Sequence, residues 1–425
     1  MEKITSIKGI NDILPADSPV WNHVESVARH TFALFGFREI RVPIMEKTEL
    51  FRRGIGETTD IVEKEMYTFP DRDDELITLR PEATAGVIRA YIEHNMHAYE
   101  QTTKLFTIGP MFRRERPQKG RFRQFHQINV ELFGENKPQT DAEIIFMLTH
   151  FLRQAGIADF SLEINSLGCK KCRPAFSQAV VAHLKGAEKT LCPNCQRRIK
   201  TNPLRVFDCK TDTCQDIIHK APKIHDFLCR ECEEHFIEVK SSLTDLGILY
   251  DVNPKMVRGL DYYIRTAFEV KSGALGAQNA IAGGGRYDGL VSYLGGPDVA
   301  GIGFAVGMER LLACLPQNEN KSVKTDIFIA ALGETAQKKA FLLTNKLRLA
   351  GVTVEMDYSD KSLKSQMKLA DKLNSSFALI LGDKEIEGNV AQLRNMHSKE
   401  QQTLPLDKLA DALINILKER ALTFE

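Results

Sequence analysis

Apolar positions change period several times along the chain, and each change marks an element. Trp21, Val24, Val27, Ala28, Thr31, Ala33 and Leu34 recur at helical spacing, which predicts a helix over Pro19 to Phe35. Arg38 to Pro43 reads as a strand. The run LITLRP reads as another, with a helix over Ala83 to Tyr91 directly after Pro81. From Thr107 to Gly134 two β segments flank a basic loop. The first ends near Phe112; the second alternates from about Arg121, with Phe122, Phe125, Ile128, Val130 and Leu132 set among polar residues. From Leu167 to about Leu246 the pattern turns helical, charged and cysteine-punctuated, with few large apolar residues, which marks an inserted module. Between Val257 and Leu315 β segments return (YIRTAFEVKSG, AIAGGGRYDG), followed by a glycine-rich strand and a helix starting near Gly307. The polar, aperiodic run PQNENKSVKT, Pro316 to Thr325, reads as a linker.

Beyond the linker, TDIFIAAL, VTVEMD and FALILGD are short apolar strands separated by amphipathic helices, TAQKKAFLLTNKLRLAG (ending at Gly351) and SLKSQMKLADKLN. A last amphipathic helix runs from about Leu406 to Lys418. This β-α-β-α-β order predicts a mostly parallel sheet covered on both faces. The chain therefore divides into residues 1–320, interrupted by a cysteine-rich insertion over 167–246, and a small α/β domain over 325–425.

Composition narrows the field only slightly. A chain of 425 residues with 43% hydrophobic and 27% charged positions is ordinary for a soluble protein of two or three domains. Its formal net charge of +1 means that any nucleic-acid surface must come from local basic patches. No apolar run approaches the roughly 18 residues of a membrane span, and MEKITSIKGINDILP lacks the features of a signal peptide, so a cytoplasmic location is expected. In that setting nine cysteines suggest thiolates, metal ligands or core residues, not disulfides.

The loop between the two β segments carries Arg113, Arg114, Arg116, Lys119, Arg121 and Arg123, broken by Pro117 and Gly120 and offset only by Glu115. Guanidinium groups at this density need solvent or an anion between them, and planar bidentate donors suit phosphate. Phe122 and Phe125 beside them suit a flat base. A solvated hairpin is the plainer reading, but Gln127, Asn129 and Glu131 offer an inward polar row. Gln127 and Glu131, four apart, share one face of the strand; a carboxylate there can accept an imidazole N–H, and the amide can hold an ammonium or carboxylate. Glu82 and Thr84 stand at a strand-to-helix switch, where they either cap the helix or hold an ammonium group. GGGRYDG lacks the features of both a P-loop and a dinucleotide loop; Gly283 to Gly285 are expected to let backbone approach a bound ligand closely.

Eight cysteines fall in the insertion as close pairs: Cys169/Cys172, Cys192/Cys195, Cys209/Cys214 and Cys229/Cys232. Two such pairs complete a tetrahedral zinc site, with Cys192/Cys195 and Cys229/Cys232 as first candidates. The spacing allows one or two sites and leaves the pairing open. His219, His225 and His235 read as surface or core residues, and Cys314 as core.

Several blocks together resemble the histidyl-tRNA synthetase branch of the class II aminoacyl-tRNA synthetases. GFREIRVPIMEKTELFRR (Gly36 to Arg53) is similar to motif 1, and the basic hairpin to motif 2. GIGFAVGMERL (Gly301 to Leu311) is similar to motif 3, and RGLDYY (Arg258 to Tyr263) and GGGRYDGL (Gly283 to Leu290) to the two histidine-specific motifs. The resemblance covers nearly the full chain and is weakest from Gly168 to Phe236. It implies an α/β chain with a class II antiparallel sheet flanked by helices, a helical insertion and a C-terminal anticodon-binding domain. It also implies ligation of L-histidine to tRNA(His) through a histidyl-adenylate, with ATP and magnesium. Histidine would meet Glu82, Ala83, Thr84, Gln127, Glu131, Tyr262, Tyr263 and Tyr287; ATP would meet Arg113, Arg121, Phe125, Arg258 and Arg310. Arg258 and Arg113 would act on the α-phosphate from opposite sides, while Arg116 and Gln118 at the loop tip would meet tRNA. Motif 1, with Pro43 ending its strand, would form a homodimer contact. No cysteine falls within these motifs, so the active site is expected not to depend on a metal in the insertion.

Two other readings remain at this stage. Similar chains serve as histidine-binding regulatory subunits of ATP phosphoribosyltransferase, which the intact Arg258, full motif 2 loop and C-terminal domain argue against. A class II synthetase for another amino acid is disfavoured by RGLDYY.

Overall fold

Alternating side-chain direction along Gln124–Phe133 sets the architecture: Ile128, Val130 and Leu132 turn to one face of a sheet, and Gln127, Asn129 and Glu131 to the other. A computed structural model describes residues 3–57, 59–118, 120–276, 279–316 and 325–422. They fall into two compact units, Met1–Asn318 and Glu319–Glu425.

The first unit is built on an eight-stranded sheet. Its strands run in the order Arg38–Glu39, Thr103–Phe112, Gln124–Phe133, Gly301–Gly307, Ala280–Arg286, Ile264–Lys271, Ser161–Ser166 and Asp251–Val252. The pairings are antiparallel except at the edges, where the two-residue strands lie parallel to their neighbours. Helices Ser18–Leu34, Pro138–Gln154 and Arg230–Asp245 cover one face. They bury Phe32, Ile145, Phe151, Phe236 and Leu243 against Phe106, Val130, Phe268 and Phe304 in one continuous core. The opposite face keeps its polar row and, partly roofed by the helix Thr84–Glu93, forms a cleft.

Several boundaries differ from the sequence reading. The strand expected over Arg38 to Pro43 pairs only at Arg38–Glu39, because the chain then leaves for the small sheet of Met45–Lys47, Leu76–Leu79 and Tyr67–Pro70. The strand expected from Arg121 begins at Gln124, since Arg121 closes a tight turn with Gln118 through reciprocal backbone bonds of 2.9 and 3.0 Å. Pro81 does not start the following helix; Glu82 and Ala83 intervene, and the helix begins at Thr84. The insertion is less core-poor than its composition suggests. Phe176, Val180, Leu184, Leu191, Ile199, Val206, Ile218 and Ile224 make a core of their own, while its last helix, Arg230–Asp245, belongs to the main core.

The C-terminal unit carries a five-stranded sheet in the order Val354–Met356, Ile327–Ala331, Phe377–Leu381, Val390–Asn395 and Gln401–Pro405. Only the first three strands are parallel; the last two add antiparallel, so the sheet is mixed, not mostly parallel. Their many polar residues hid them from the hydrophobic pattern. Glu334–Leu349 and Leu409–Leu422 cover one face and Leu363–Lys372 the other, as the apolar strands require. Among the described residues no helix is long and apolar enough to cross a membrane.

Candidate active site

The cleft has two chemically distinct ends. One is acidic and phenolic. Glu131, on the strand Gln124–Phe133, is 2% exposed; its Oε1 accepts from the Thr84 hydroxyl at 2.6 Å and its Oε2 from the Tyr287 hydroxyl. Tyr262 and Tyr263 lie with ring centroids 4.6 Å apart, and Tyr262 meets Tyr287 edge-on at 5.7 Å. Glu82 also lines this end, and its carboxylate accepts from the backbone N–H groups of Thr84 and Ala85 at 3.1 and 2.9 Å. The capping reading of Glu82 is thus physically realised, and the Thr84 hydroxyl donates to Glu131.

The other end is cationic. Arg113, Arg121, Arg258 and Arg310 line it together with Phe125. The Arg113 guanidinium lies 5.1 Å from the Phe125 ring centroid and donates to the Pro81 carbonyl at 2.9 Å. Arg310 is held by the carbonyls of Gly120 and Ala280, both at 3.0 Å. Arg258 sits 5.5 Å from the Tyr263 ring and pairs with Glu269 at 3.1 Å. Its guanidinium passes so close to Gly283 that a Cβ there would stand 2.5 Å from both Nη atoms. Gly284 is packed against the Gly303 carbonyl and the Phe268 and Phe304 side chains. These two glycines therefore also admit protein groups, and Gly283 is the one of Gly283 to Gly285 that lines the cleft.

Three buried polar atoms in the cleft wall, Gln127 Oε1, Asn129 Nδ2 and Arg258 Nε, have no hydrogen-bond partner among the described residues. Buried polar groups are normally satisfied, so an unpaired amide oxygen, amide nitrogen and guanidinium nitrogen in one cleft mark a site shaped for a polar ligand. Of the residues proposed from sequence, Ala83 lies buried at the helix start outside the cleft lining, and Arg116 and Gln118 are exposed at the loop tip. The sequence reading named Glu115 only as an offset to the loop arginines and missed two further acids, Glu269 and Glu309. Glu115 is paired with Arg121 at 2.7 Å, Glu269 with Arg258, and Glu309 accepts from the His126 backbone N–H at 2.9 Å. Glu115 and Glu309 were visible as acids inside arginine-bearing motifs; Glu269 had no local signal.

The eight insertion cysteines gather in two groups, Cys169, Cys172, Cys229 and Cys232 in one and Cys192, Cys195, Cys209 and Cys214 in the other, with sulphurs within 4.8 Å of one another in each. The first-choice pairs Cys192/Cys195 and Cys229/Cys232 thus belong to different groups, because each takes its partner from its own side of the insertion core. The Cys192 thiol is lowered to about 7, chiefly by the Cys195 backbone N–H. None of the three flanking histidines joins a group. His219 meets Lys255, His225 meets Asn165 at 2.9 Å, and His235 lies buried near Asp141 at 3.6 Å.

The pattern that defines the histidyl-tRNA synthetases matches residues 9–182 and 215–311, and that of an anticodon-binding domain matches residues 326–416. The histidine–tRNA ligase of Desulfosudis oleivorans is 55% identical over 416 residues, covering 97% of this chain and 98% of that protein. The chain belongs to the histidyl-tRNA synthetase family. The apo histidyl-tRNA synthetase of S. aureus is similar in structure, with a TM-score of 0.81 and 38% identity over 97% of this chain and all of that one. A Bacillus halodurans protein described as an ATP phosphoribosyltransferase regulatory subunit/histidyl-tRNA synthetase shares the fold at a TM-score of 0.67, but only 18% identity, over 90% of this chain and all of that one. The family pattern skips residues 183–214, which hold the whole second cysteine group.

The Glu131 environment gives a measurable signature. Burial pushes its carboxyl up to about 8; the Thr84 and Tyr287 hydroxyls oppose the rise, and Glu82 adds to it. Unfolded glutamate titrates near 4.3, so between about 4.3 and 8 the folded state holds a proton that the unfolded state has lost. The resulting stabilisation is complete below 4.3 and disappears as pH rises towards 8. In denaturant unfolding of the ligand-free protein, stability should fall between pH 5 and 8, and Glu131→Gln should flatten part of that slope. An unchanged slope would mean that Glu131 is ionised throughout.

Proposed function

We propose a division of labour within the cleft for histidine–tRNA ligation, the activity of the family to which the chain belongs. Histidine occupies the acidic and phenolic end. Its imidazole meets Glu131 and the tyrosines Tyr262, Tyr263 and Tyr287; its ammonium group meets Glu82, Thr84 and Gln127. ATP occupies the cationic end, with adenine between Phe125 and Arg310 and phosphates at Arg113, Arg121 and Arg258. The observation that carries this reading is the pairing of two opposed environments in one cleft, together with the three unsatisfied polar atoms in its wall.

On this assignment the first step needs no protein nucleophile. The histidine carboxylate attacks the α-phosphorus in line, pyrophosphate leaves, and Arg113 and Arg258 stabilise the charge that develops on the phosphoryl oxygens. Magnesium, used with ATP by this family, neutralises phosphate charge when bound. In the second step the terminal ribose hydroxyl of tRNA displaces AMP from the adenylate.

We assign residues 325–425 to the anticodon, residues 1–320 to catalysis, and the cysteines of the 167–246 insertion to structural zinc. The motif 1 region is the homodimer contact in this reading; its exposed Ile44 and Met45 supply apolar surface for one, as do Phe69 and Leu76 of the small sheet that Met45–Lys47 joins. The site of action is the cytoplasm. The exposed loop tip, with Arg116 and Gln118, is assigned to the tRNA acceptor end, where a basic tip positions a phosphate backbone.

ATP–pyrophosphate exchange across the amino acids tests the reading, with histidine expected as the one substrate that supports it. In the same experiment Gln118→Ala should lower tRNA charging by about tenfold or more while leaving histidine-dependent exchange within about twofold. Equal losses in both assays would overturn the loop-tip assignment, and exchange driven by another amino acid would overturn the pocket assignment.

A further inference from the structure

Within each cysteine group the sulphur separations are those of ligands on a single ion. Cys169 Sγ lies 3.7 Å from Cys172 Sγ and 3.9 Å from Cys229 Sγ; Cys192 Sγ lies 3.8 Å from Cys209 Sγ. Tetrahedral zinc with metal–sulphur bonds of about 2.3 Å places its ligands about 3.8 Å apart, whereas a disulfide closes to about 2.05 Å. An iron–sulphur cubane binds each thiolate to a different iron and would spread the sulphurs further. Backbone N–H groups already point at the sulphurs: Cys229 N–H donates to Cys172 Sγ at 3.1 Å, and Cys192 N–H to Cys214 Sγ at 3.2 Å. Such donors stabilise a thiolate on a metal.

Each group also stands beside a residue that grips the RGLDYY segment. Arg173, next to Cys172, donates to the carbonyls of Leu167, at 3.2 Å, and Tyr263. Between Cys195 and Cys209, Arg205 donates to the Arg258 carbonyl at 3.0 Å and Asn202 to the Asp261 carboxylate at 3.0 Å. The insertion thus holds the backbone at both ends of the six-residue segment and a side chain in its middle.

We propose that the two cysteine groups each bind one zinc ion, and that these ions hold Arg173, Asn202 and Arg205 in place so that the insertion positions Arg258 and Tyr263 in the cleft. The inference rests on the zinc assignment above and reverses the expectation that the active site is indifferent to the insertion. Arg205 and Asn202 are positioning residues: they touch the catalytic segment and lie in the stretch that the family pattern skips. Binding is not a redox step; each thiol that ligates loses its proton to solvent and gives a lone pair to the ion.

Metal analysis of the full-length, reduced enzyme should find two zinc ions per chain. Less than one equivalent, with all eight thiols freely titratable in the folded state, overturns the metal assignment. Positioning is read separately. Arg205→Met keeps every cysteine and should retain both zinc ions, yet lower kcat for histidine-dependent pyrophosphate exchange about tenfold with KM for histidine changed less than about threefold. Arg205→Lys should recover part of the loss. The double variant Cys209→Ser/Cys214→Ser should lose one zinc and a similar share of kcat. Wild-type kcat in Arg205→Met, or in a double variant that has lost one zinc, overturns the positioning role while leaving the metal sites standing. Should the double variant fail to fold, the Arg205 pair decides.

Discussion

Arg258→Ala should reduce histidine-dependent pyrophosphate exchange by about a hundredfold or more, while the variant melts close to the parent protein. Loss of one preorganised cation at a developing phosphoryl charge costs on the order of 3 kcal/mol, and each 1.36 kcal/mol is tenfold in rate. Arg258 is suited to that role because its Nε is buried without a partner and Gly283 leaves its guanidinium free of a clash. The fold should survive because Glu269, its ion-pair partner, has a second cation in Lys271 at 3.5 Å. Arg258→Lys, which keeps charge but not the planar fork, should fall between the two. Exchange near the wild-type rate in the alanine variant, with melting confirmed, would sink the assignment.

The second large effect concerns stability. Asp141 and Arg286 form an ion pair with both side chains fully buried. Arg286 Nε donates to Asp141 Oδ1 at 3.0 Å, and Nη1 reaches the Glu135 carbonyl at 2.9 Å and Asp288 at 3.0 Å. A buried charge left wholly unpaired costs about 3–5 kcal/mol; removing Asp141 leaves Arg286 with Asp288 and the Glu135 carbonyl, so the loss should lie below that range. Asp141→Ala should therefore lower the unfolding free energy read from urea titration by about 2 kcal/mol or more, whereas Asp141→Leu with Arg286→Met should cost much less. The effect should also reach the pocket, since Arg286 immediately precedes Tyr287, the donor to Glu131. A shift under about 1 kcal/mol in the single variant would show that the pair anchors nothing.

Arg286 also shows where the sequence was legible and where it was not. Periodicity placed the main helices and the hairpin strands, because each buries one face and so writes its period into the chain. It failed where polar residues or a short length leave little apolar pattern to read. The strands Val390–Asn395 and Gln401–Pro405 carry many polar residues, and the edge strand Arg38–Glu39 is too short to have a period. Motif residues such as Arg113, Arg258 and Tyr287 were legible as chemistry, and they do line one cleft. Their counter-charges were not. Glu269 reaches Arg258 from the adjacent strand, and Asp141 reaches Arg286 from 145 residues earlier. Nothing local distinguishes such an acid from a solvated one. The cysteine pairs were equally readable, but which pairs share a group depends on how the insertion's own core folds back.

The pairing of Ser161–Ser166 with Ile264–Lys271 closes a loop between Ser166 and Thr266, with the insertion inside it. A flexible loop of that length makes strand docking slow, since its closure entropy must be met before the contacts form. The insertion, however, has its own core, and Cys169 near its start meets Cys229 at the head of its last helix. Once it has folded, the two strands emerge side by side, and their registry becomes a nearly local event. The order of synthesis favours this sequence, because residues 167–246 are complete before Ile264 leaves the ribosome. The insertion would then serve the enzyme first as a chaperone in cis.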